Sequence, residues 1–261
     1  MKIGFIGCGN MGGALARAVA RVSYVKVCLY DKDADRALAL AKELDGEAME
    51  LSEIARCDYI FLGVKPNIIA SVAKELVGAL SPTTTLITMA AGVKIEKLAE
   101  ALGASQPIIR IMPNTPVAYG EGMILYCASE EVSDVALDKF RDFMKYAGEL
   151  DMIPERLIDA GSAVSGCGPA FVYMFIEALA DGGVAAGLPR EAAMKYAAET
   201  VKGAAVTVLE SGKHPGALKD AVCSPGGSTI EGVLALESGG MRGIVSDAVI
   251  AAYEKTLKLG K

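Results

Sequence analysis

The sequence is poor in the side chains that bind transition metals. It has one histidine, His214, and six cysteines, no two of which form a C-x-x-C pair. Zinc sites need clustered Cys or His ligands, so we expect no metal site. Scattered cysteines with apolar neighbours are typical of a reducing compartment, where they pack as small hydrophobic side chains. The cysteine pattern therefore predicts a cytoplasmic protein.

The sequence also lacks an excess of positive charge and an uninterrupted apolar run of membrane-spanning length. The formal net charge of −6 gives no electrostatic basis for binding nucleic acid or an anionic membrane. The most apolar late stretch, 171–188, contains Glu177, Asp181 and several glycines. A charge at the centre of a bilayer costs about 2.5–3.5 kcal/mol, so we expect no membrane span. The first residues begin a strand and show no signal-peptide pattern.

Short apolar runs alternate with helical patterns in the first half of the chain. Strands are predicted over 2–6, 25–30, 59–63, 85–89 and 108–111. Helices are predicted over 11–21, 33–44, 66–80 and 94–102. Almost continuously apolar strands are typical of a parallel sheet that is covered on both faces. The pattern therefore predicts a doubly wound α/β domain of the Rossmann type.

The pattern changes near Pro154, after which we expect only helices. Gly168-Pro169 indicates a helix start, Gly187 its end, and residues 188–191 the start of the next helix. Few charges occur over 163–186, and exposed apolar surface of that extent is uncommon in monomers. We therefore expect a dinucleotide-binding domain over 1–153 and an all-helical dimerisation domain over 154–261 that forms a homodimer.

A glycine-rich turn follows the first strand and opens the first helix. The turn reads Gly7-Cys8-Gly9-Asn10-Met11-Gly12 and comes directly after Ile6. In a dinucleotide site the first glycine permits the tight turn, the second admits the pyrophosphate, and the third allows close helix–strand packing. The helix N-terminus then binds the phosphates. We assign these residues to cofactor binding; the alternative is a glycine-rich turn without a ligand.

Asp31 ends the second predicted strand, about 20 residues beyond the glycines. A carboxylate there accepts hydrogen bonds from the ribose hydroxyls and repels a 2′-phosphate. Lys32 and Arg36 oppose that repulsion, so the pattern favours NADH without excluding NADPH. The alternative is an Asp that caps a helix or is merely solvated.

Two further loops follow strands at the edge of the sheet where ligands of open α/β sheets bind. They are Gly63-Val64-Lys65-Pro66 and Met89-Ala90-Ala91-Gly92. Small residues allow a dinucleotide to pass close to the backbone. We assign Val64, Lys65, Pro66, Ala90 and Ala91 to the cofactor; alternatively, Lys65 is an ordinary solvated lysine before a helix that begins with proline.

The loop Ser224-Pro225-Gly226-Gly227-Ser228-Thr229 is the most informative part of the second half. Pro225 disfavours helix at Ser224, and the glycines allow unusual dihedral angles. Ser228 and Glu231 have the spacing of a capping box, which predicts Ser228 as the N-cap and Thr229 as the first helical residue. Backbone donors and a free hydroxyl at a positive helix end suit a small carboxylate. A plain turn between helices is the alternative.

Asn114 lies in a rigid loop with two prolines, Met112-Pro113-Asn114-Thr115-Pro116, after the strand over 108–111. The loop is expected to place Asn114 at the carboxyl edge of the sheet and in contact with the substrate. The alternative is a stiff linker.

The sequence resembles the pyrroline-5-carboxylate reductases over nearly its whole length, from Ile3 to about Leu257. The matching motifs are GCGNMG, GVKP, MPNTP, SGCGPAF, LADGGVAAGLPR, HPGALKDAVCSPGGSTIEG and LESGGMR. The resemblance implies reduction of 1-pyrroline-5-carboxylate to proline with NADPH or NADH. It further implies an interlocked homodimer, and larger rings of dimers occur in the family.

The resemblance also implies roles at the substrate end. In the family the SPGG-x-T loop binds the substrate carboxylate and its threonine reaches the ring nitrogen; here these residues are Gly226, Gly227, Ser228 and Thr229. Thr229 is therefore the expected catalytic residue. The sequence departs from the family at Asp31, where members that prefer NADPH tend to have a hydroxyl or a basic group.

Two other functions fit parts of the sequence. A β-hydroxyacid dehydrogenase has the same domain layout but carries a lysine on the first long helix of its second domain. The segment PAFVYMFIEALADGG has no lysine. A dinucleotide sensor would have a degenerate substrate loop, whereas SPGGST is intact. We expect His214 to be a structural or surface residue and not a general acid.

Overall fold

The computed structural model describes residues 1–103 and 106–259. The chain divides into two compact units. The first comprises Met1–Cys167 together with the C-terminal segment from Ala252, and the second is Gly168–Ala251.

The first unit is built on an eight-stranded sheet. The strands are β1 Lys2–Ile6, β2 Lys26–Tyr30, β3 Glu47–Ala48, β4 Tyr59–Leu62, β5 Thr85–Thr88, β6 Ile108–Met112, β7 Gly122–Ala128 and β8 Gly148–Met152. Their order in the sheet is β3-β2-β1-β4-β5-β6-β7-β8. Neighbouring strands are parallel except β6 and β7, which are antiparallel. The order reverses between β1 and β4, which is the point where ligands of doubly wound sheets bind.

Helices cover both faces of this sheet. They are α1 Asn10–Ala20, α2 Ala34–Leu44, α3 Leu51–Ile54, α4 Pro66–Leu76, α5 Ile95–Leu102, α6 Asp134–Met144 and α7 Glu155–Ser165, with a 3-10 helix at Thr115–Tyr119. Alternate residues of β1 enter two different hydrophobic clusters: Phe5 packs in one and Ile6 in the other. The predicted doubly covered parallel sheet is therefore confirmed.

The five predicted strands are all present, but three strands were not predicted. β3 has only two residues, and β8 is partly exposed and is interrupted by Glu149 and Asp151, so neither produces an apolar run. β7 is apolar but is reached through a 3-10 helix. Because no crossover helix separates it from β6, the alternation of strand and helix does not reveal it.

A buried arginine fastens α7 to the sheet. Arg110 on β6 is fully buried, with Nη1 3.3 Å from Oε1 of Glu155 and Nη2 2.5 Å from Oδ1 of Asp159. Glu155 also accepts a 2.7 Å hydrogen bond from the backbone N–H of Ile95, the first residue of α5. A buried cation needs such partners, because an unpaired one would cost several kcal/mol. α7 consequently packs with the first unit, which extends beyond residue 153.

The second unit consists of helices. They are α8 Gly168–Ala185, α9 Arg190–Ser211, α10 Pro215–Ala221 and α11 Ser228–Ser238, and α12 Met241–Leu259 continues from it into the first unit. The helix starts predicted at Gly168 and within 188–191 are confirmed. No strand occurs over residues 154–259, as predicted.

This second unit has almost no core of its own. Within Gly168–Ala251, all of which is described, the buried apolar residues are Ala180, Ala193 and Ala197. Large apolar side chains are exposed instead, among them Met174 at 70% and Leu209 at 80%. By length and composition alone, one helical stretch among the described residues, Glu155–Ala185, could cross a membrane. The unit therefore exposes an apolar surface of the kind that is usually buried against another protein surface.

Candidate active site

Close backbone packing requires glycine at three positions near the turn that follows β1. Gly7 has φ +98°, and a Cβ on it would lie 2.5 Å from the carbonyl oxygen of Gly63. A Cβ on Gly12 would lie 2.0 Å from the carbonyl oxygen of Gly7. A Cβ on Gly63 would lie 2.9 Å from that same oxygen. The ends of β1 and β4 thus meet the start of α1 at a distance that excludes any side chain.

Gly9 is different, because a Cβ there would meet nothing within 4 Å. It is the N-cap of α1, makes no side-chain cap, and no acidic residue lies in the first turn. The N–H groups of the first helical turn have no intrahelical partner, and the helix dipole favours an anion there. Gly9 and Asn10 are exposed. The space left by Gly9 therefore fits a pyrophosphate group.

Asp31 is hydrogen-bonded to the glycine turn. Its Oδ2 accepts the backbone N–H of Cys8 at 2.7 Å, and its Oδ1 accepts the N–H of Asp33 at 2.9 Å. Arg36 Nη1 lies 3.7 Å from the same Oδ2. Burial and then the charge of Asp31 raise the pKa of the Cys8 thiol to about 12. The turn therefore carries no thiolate at neutral pH to repel a phosphate.

The two other predicted cofactor loops lie beside this turn. In the register, Ile6 is opposite Leu62 and Leu62 is opposite Thr88, so the loops after β1, β4 and β5 share one edge of the sheet. Lys65 is the exposed N-cap of α4, Pro66 is its first residue, and Val64 is half-buried. Ala90 is buried and Ala91 is half-buried. The predicted cofactor residues thus come together, as parallel strands require.

Asn114 is held by the protein at both ends of its amide. Its Nδ2 donates to the carbonyl oxygen of Ser165 at 2.9 Å, and its Oδ1 accepts the N–H of Met123 at 2.9 Å. The residue is 8% exposed. Asn114 therefore ties the end of β6 to β7 and to the last residue of α7. Its contact with substrate stays a prediction.

The predicted cap of α11 is wrong by one residue. Gly227 is the N-cap, Ser228 is already helical, and no side chain caps this end. The N–H of Gly227 bonds the carbonyl oxygen of Ser224 at 3.0 Å, and Gly226 has φ +68°. Pro225 and Gly226 thus occupy the centre of a turn of the type II kind, which closes at Gly227 and lets the helix begin at once.

The rest of the loop has the features expected of an anion site. Ser228 and Thr229 are exposed, and in the part of the chain that the structure describes the Thr229 hydroxyl has no hydrogen-bond partner. α11 has 11 residues, so its N-terminus carries several unpaired N–H groups. His214 lies at the start of α10, where its Nδ1 accepts the N–H of Gly216 at 3.0 Å. This position at the exposed start of a helix agrees with the predicted structural or surface role.

Two acidic residues near the cofactor end were not predicted. Glu50 and Glu53 form a reciprocal cap at the start of α3, and both line a cavity of about 370 Å³ beside Asp31. They were missed because β3 and α3 are too short to give a periodic signal. The E-x-x-E spacing of a cap was the available sign.

Comparison with known proteins gives matches along the whole chain. Residues 155–259 match the family model for the pyrroline-5-carboxylate reductase dimerisation domain, and residues 2–92 match the model for coenzyme F420-dependent NADP oxidoreductases. Pyrroline-5-carboxylate reductase of Escherichia coli is 44% identical over 100% of this chain and 98% of its own. The Arabidopsis thaliana enzyme is 38% identical over 100% of this chain and 96% of its own.

Solved structures agree with these sequence matches. Pyrroline carboxylate reductase of Plasmodium falciparum, solved with NADP bound, has a TM-score of 0.90 at 37% identity and covers 100% of this chain and 98% of its own. The Coxiella burnetii reductase has a TM-score of 0.91 at 30% identity, with 99% and 98% covered. This chain belongs to the pyrroline-5-carboxylate reductase family.

Proposed function

We propose that this chain reduces 1-pyrroline-5-carboxylate to L-proline with NADPH or NADH, the last step of proline biosynthesis. The observation that carries the proposal is the 44% identity to a reductase of this name over 100% of the chain. The open Gly9 at the start of α1 and the free Thr229 hydroxyl at the start of α11 support it.

The test is direct. The purified chain is mixed with 1-pyrroline-5-carboxylate, and the loss of nicotinamide absorbance is followed with NADPH and, separately, with NADH. We expect substrate-dependent oxidation of at least one nucleotide and proline as the product. A chain that binds the nucleotide but oxidises neither form would contradict the proposal.

The chain's own residues are proposed to orient the reactants. The backbone N–H groups of Gly226 and Ser228 bind the substrate carboxylate, and the turn that the N–H of Gly227 closes on Ser224 positions them. Thr229 hydrogen-bonds the ring nitrogen. The bound nicotinamide supplies the hydride. Because a cyclic imine needs no covalent nucleophile, most of the catalysis is positioning, which contributes on the order of 7–11 kcal/mol in favourable cases.

We infer that the apolar surface of Gly168–Ala251 is covered by a second copy of the chain. The three buried alanines cannot form a core that stabilises this unit alone. Glu177 and Asp181 lie within the apolar stretch of α8, where a lipid environment would penalise both charges. The match to a dimerisation domain over 155–259 supports the same interpretation.

Obligate assembly gives a measurable prediction. Sedimentation velocity in detergent-free buffer should show a homodimer, or a ring of dimers, down to nanomolar protein, because an unpaired subunit exposes its apolar helices. A stable monomer that retains activity at nanomolar concentration would rule out the dimer as the active unit.

We further infer that the protein works in the cytoplasm. All six cysteines are free, and Cys8, Cys28, Cys57 and Cys127 are buried. Buried free thiols are compatible with a reducing compartment.

The proposed substrate is a small molecule, and the net charge of −6 does not favour binding of nucleic acid.

A further inference from the structure

The ribose end of the proposed dinucleotide site carries more negative than positive charge. In Rossmann domains the residue at the carboxyl end of β2 contacts the ribose 2′-hydroxyl. Here that end opens on the 370 Å³ cavity, whose charged lining residues are Asp31, Lys32, Glu50 and Glu53. NADPH and NADH differ only in the phosphate on this hydroxyl, so the charges at this end of β2 bear on which of the two cofactors is bound.

The Asp31 carboxylate is locked in place. Its oxygens accept the N–H groups of Cys8 and Asp33 at 2.7 and 2.9 Å, and its side chain is 9% exposed. Each oxygen of an ionised carboxylate accepts more than one hydrogen bond. Asp31 can therefore still accept a bond from a ribose hydroxyl, but it cannot turn away from a phosphate without breaking the bond to the glycine turn.

The Glu53 carboxylate is held as well. Its Oε2 accepts the backbone N–H of Glu50 at 3.0 Å, and the Glu50 side chain completes the cap from the other direction. Both residues are exposed and line the cavity, and their carboxylates add to the negative charge of Asp31.

The nearby cations do not balance these charges. Arg36 Nη1 lies 3.7 Å from Asp31 and its Nη2 lies 3.4 Å from Oδ2 of Asp33, so its guanidinium is shared between two carboxylates. Four carboxylates thus face two cations in this group of six side chains, which consists of Asp31, Asp33, Glu50, Glu53, Lys32 and Arg36. The local formal charge is −2, and a phosphomonoester would add about −1.5 to −2 more at neutral pH.

We propose that this chain selects NADH over NADPH, and that Asp31, Glu50 and Glu53 are the residues that determine the selection. The inference rests on the proposed dinucleotide site and specifies its cofactor.

The experiment measures binding without turnover. The full-length chain is titrated calorimetrically with NAD⁺ and with NADP⁺ in the absence of substrate. The readout is the ratio of the Kd for NADP⁺ to the Kd for NAD⁺. We expect NAD⁺ to bind at least tenfold more tightly. Asp31→Ser should lower this ratio at least fivefold, because it removes the fixed charge and leaves a hydroxyl. Any common loss from a loosened glycine turn cancels in the ratio.

Two further variants make the test specific. Glu53→Gln keeps an acceptor for the N–H of Glu50, removes one charge, and should lower the ratio two- to threefold. Asp35→Asn removes the same charge from an exposed residue in the first turn of α2, outside the cavity lining, and should change the ratio less than twofold.

The outcomes are distinguishable. Tighter binding of NADP⁺, or an equal fall of the ratio in Asp31→Ser and Asp35→Asn, overturns the selection while leaving the reductase function intact. If neither nucleotide binds, the proposed function fails and the selection fails with it.

Discussion

Thr229→Ala should lower kcat for 1-pyrroline-5-carboxylate reduction at least tenfold. The hydroxyl is exposed at the start of α11 and has no partner among the described residues, so it is available to the substrate. A group that donates a proton in the transition state contributes about 10²–10⁴-fold, and a group that only orients the substrate contributes less. The Kd for the dinucleotide should not change, because Thr229 is not on the glycine turn. Steady-state kinetics and calorimetry measure the two effects.

Ser228→Ala is the matched control for Thr229→Ala. Ser228 is also exposed and is the neighbouring residue of the same helix, but its side chain does not cap α11. We therefore expect a change in unfolding free energy of less than about 0.5 kcal/mol, the usual range for surface substitutions, and a smaller kinetic effect than for Thr229→Ala. A Thr229→Ala enzyme with nearly normal kcat and KM would show that the loop only binds the carboxylate and that the proton comes from elsewhere.

Alanine substitutions at Gly9 and Gly12 should differ in their effect on stability. Gly9→Ala places a methyl group where nothing lies within 4 Å and where the pyrophosphate is proposed to bind. We expect the Kd of the dinucleotide to rise at least tenfold. The free energy of unfolding should fall by at most about 1 kcal/mol, since alanine is a poorer N-cap than glycine. Calorimetric titration and denaturant unfolding measure these quantities.

Gly12→Ala should lower the free energy of unfolding more than Gly9→Ala does. Its Cβ would lie 2.0 Å from the carbonyl oxygen of Gly7, which is backbone and cannot move aside. Overpacking of this kind costs about 1–3 kcal/mol and occasionally more, so we expect a clear loss of stability. If Gly9→Ala binds the dinucleotide as tightly as the unmodified chain, the space above the turn is not the phosphate site.

Patterns that depend on near neighbours in the chain were predictable from the sequence. The apolar runs of β1, β2, β4, β5 and β6 indicated a parallel sheet because such strands are buried on both faces. Pro66 and Pro169 marked helix starts, because proline suits the first helical turn. The glycine turn could be placed between β1 and α1 because the strand, the turn and the helix are consecutive in the chain.

Partners that come from distant parts of the chain were not predictable from the sequence. Asp31 meets the N–H of Cys8 because β2 lies beside β1 in the sheet, and Asn114 meets Ser165 because α7 packs near β7. No local pattern encodes these contacts. Whether such a side chain is free for a ligand or held by the backbone depends on which buried N–H and C=O groups need a partner. The sequence by itself determined where the glycine turn lies, between β1 and α1. Only the tertiary structure decided which groups hold Asp31 and Asn114, because folding brings those backbone groups within hydrogen-bond distance.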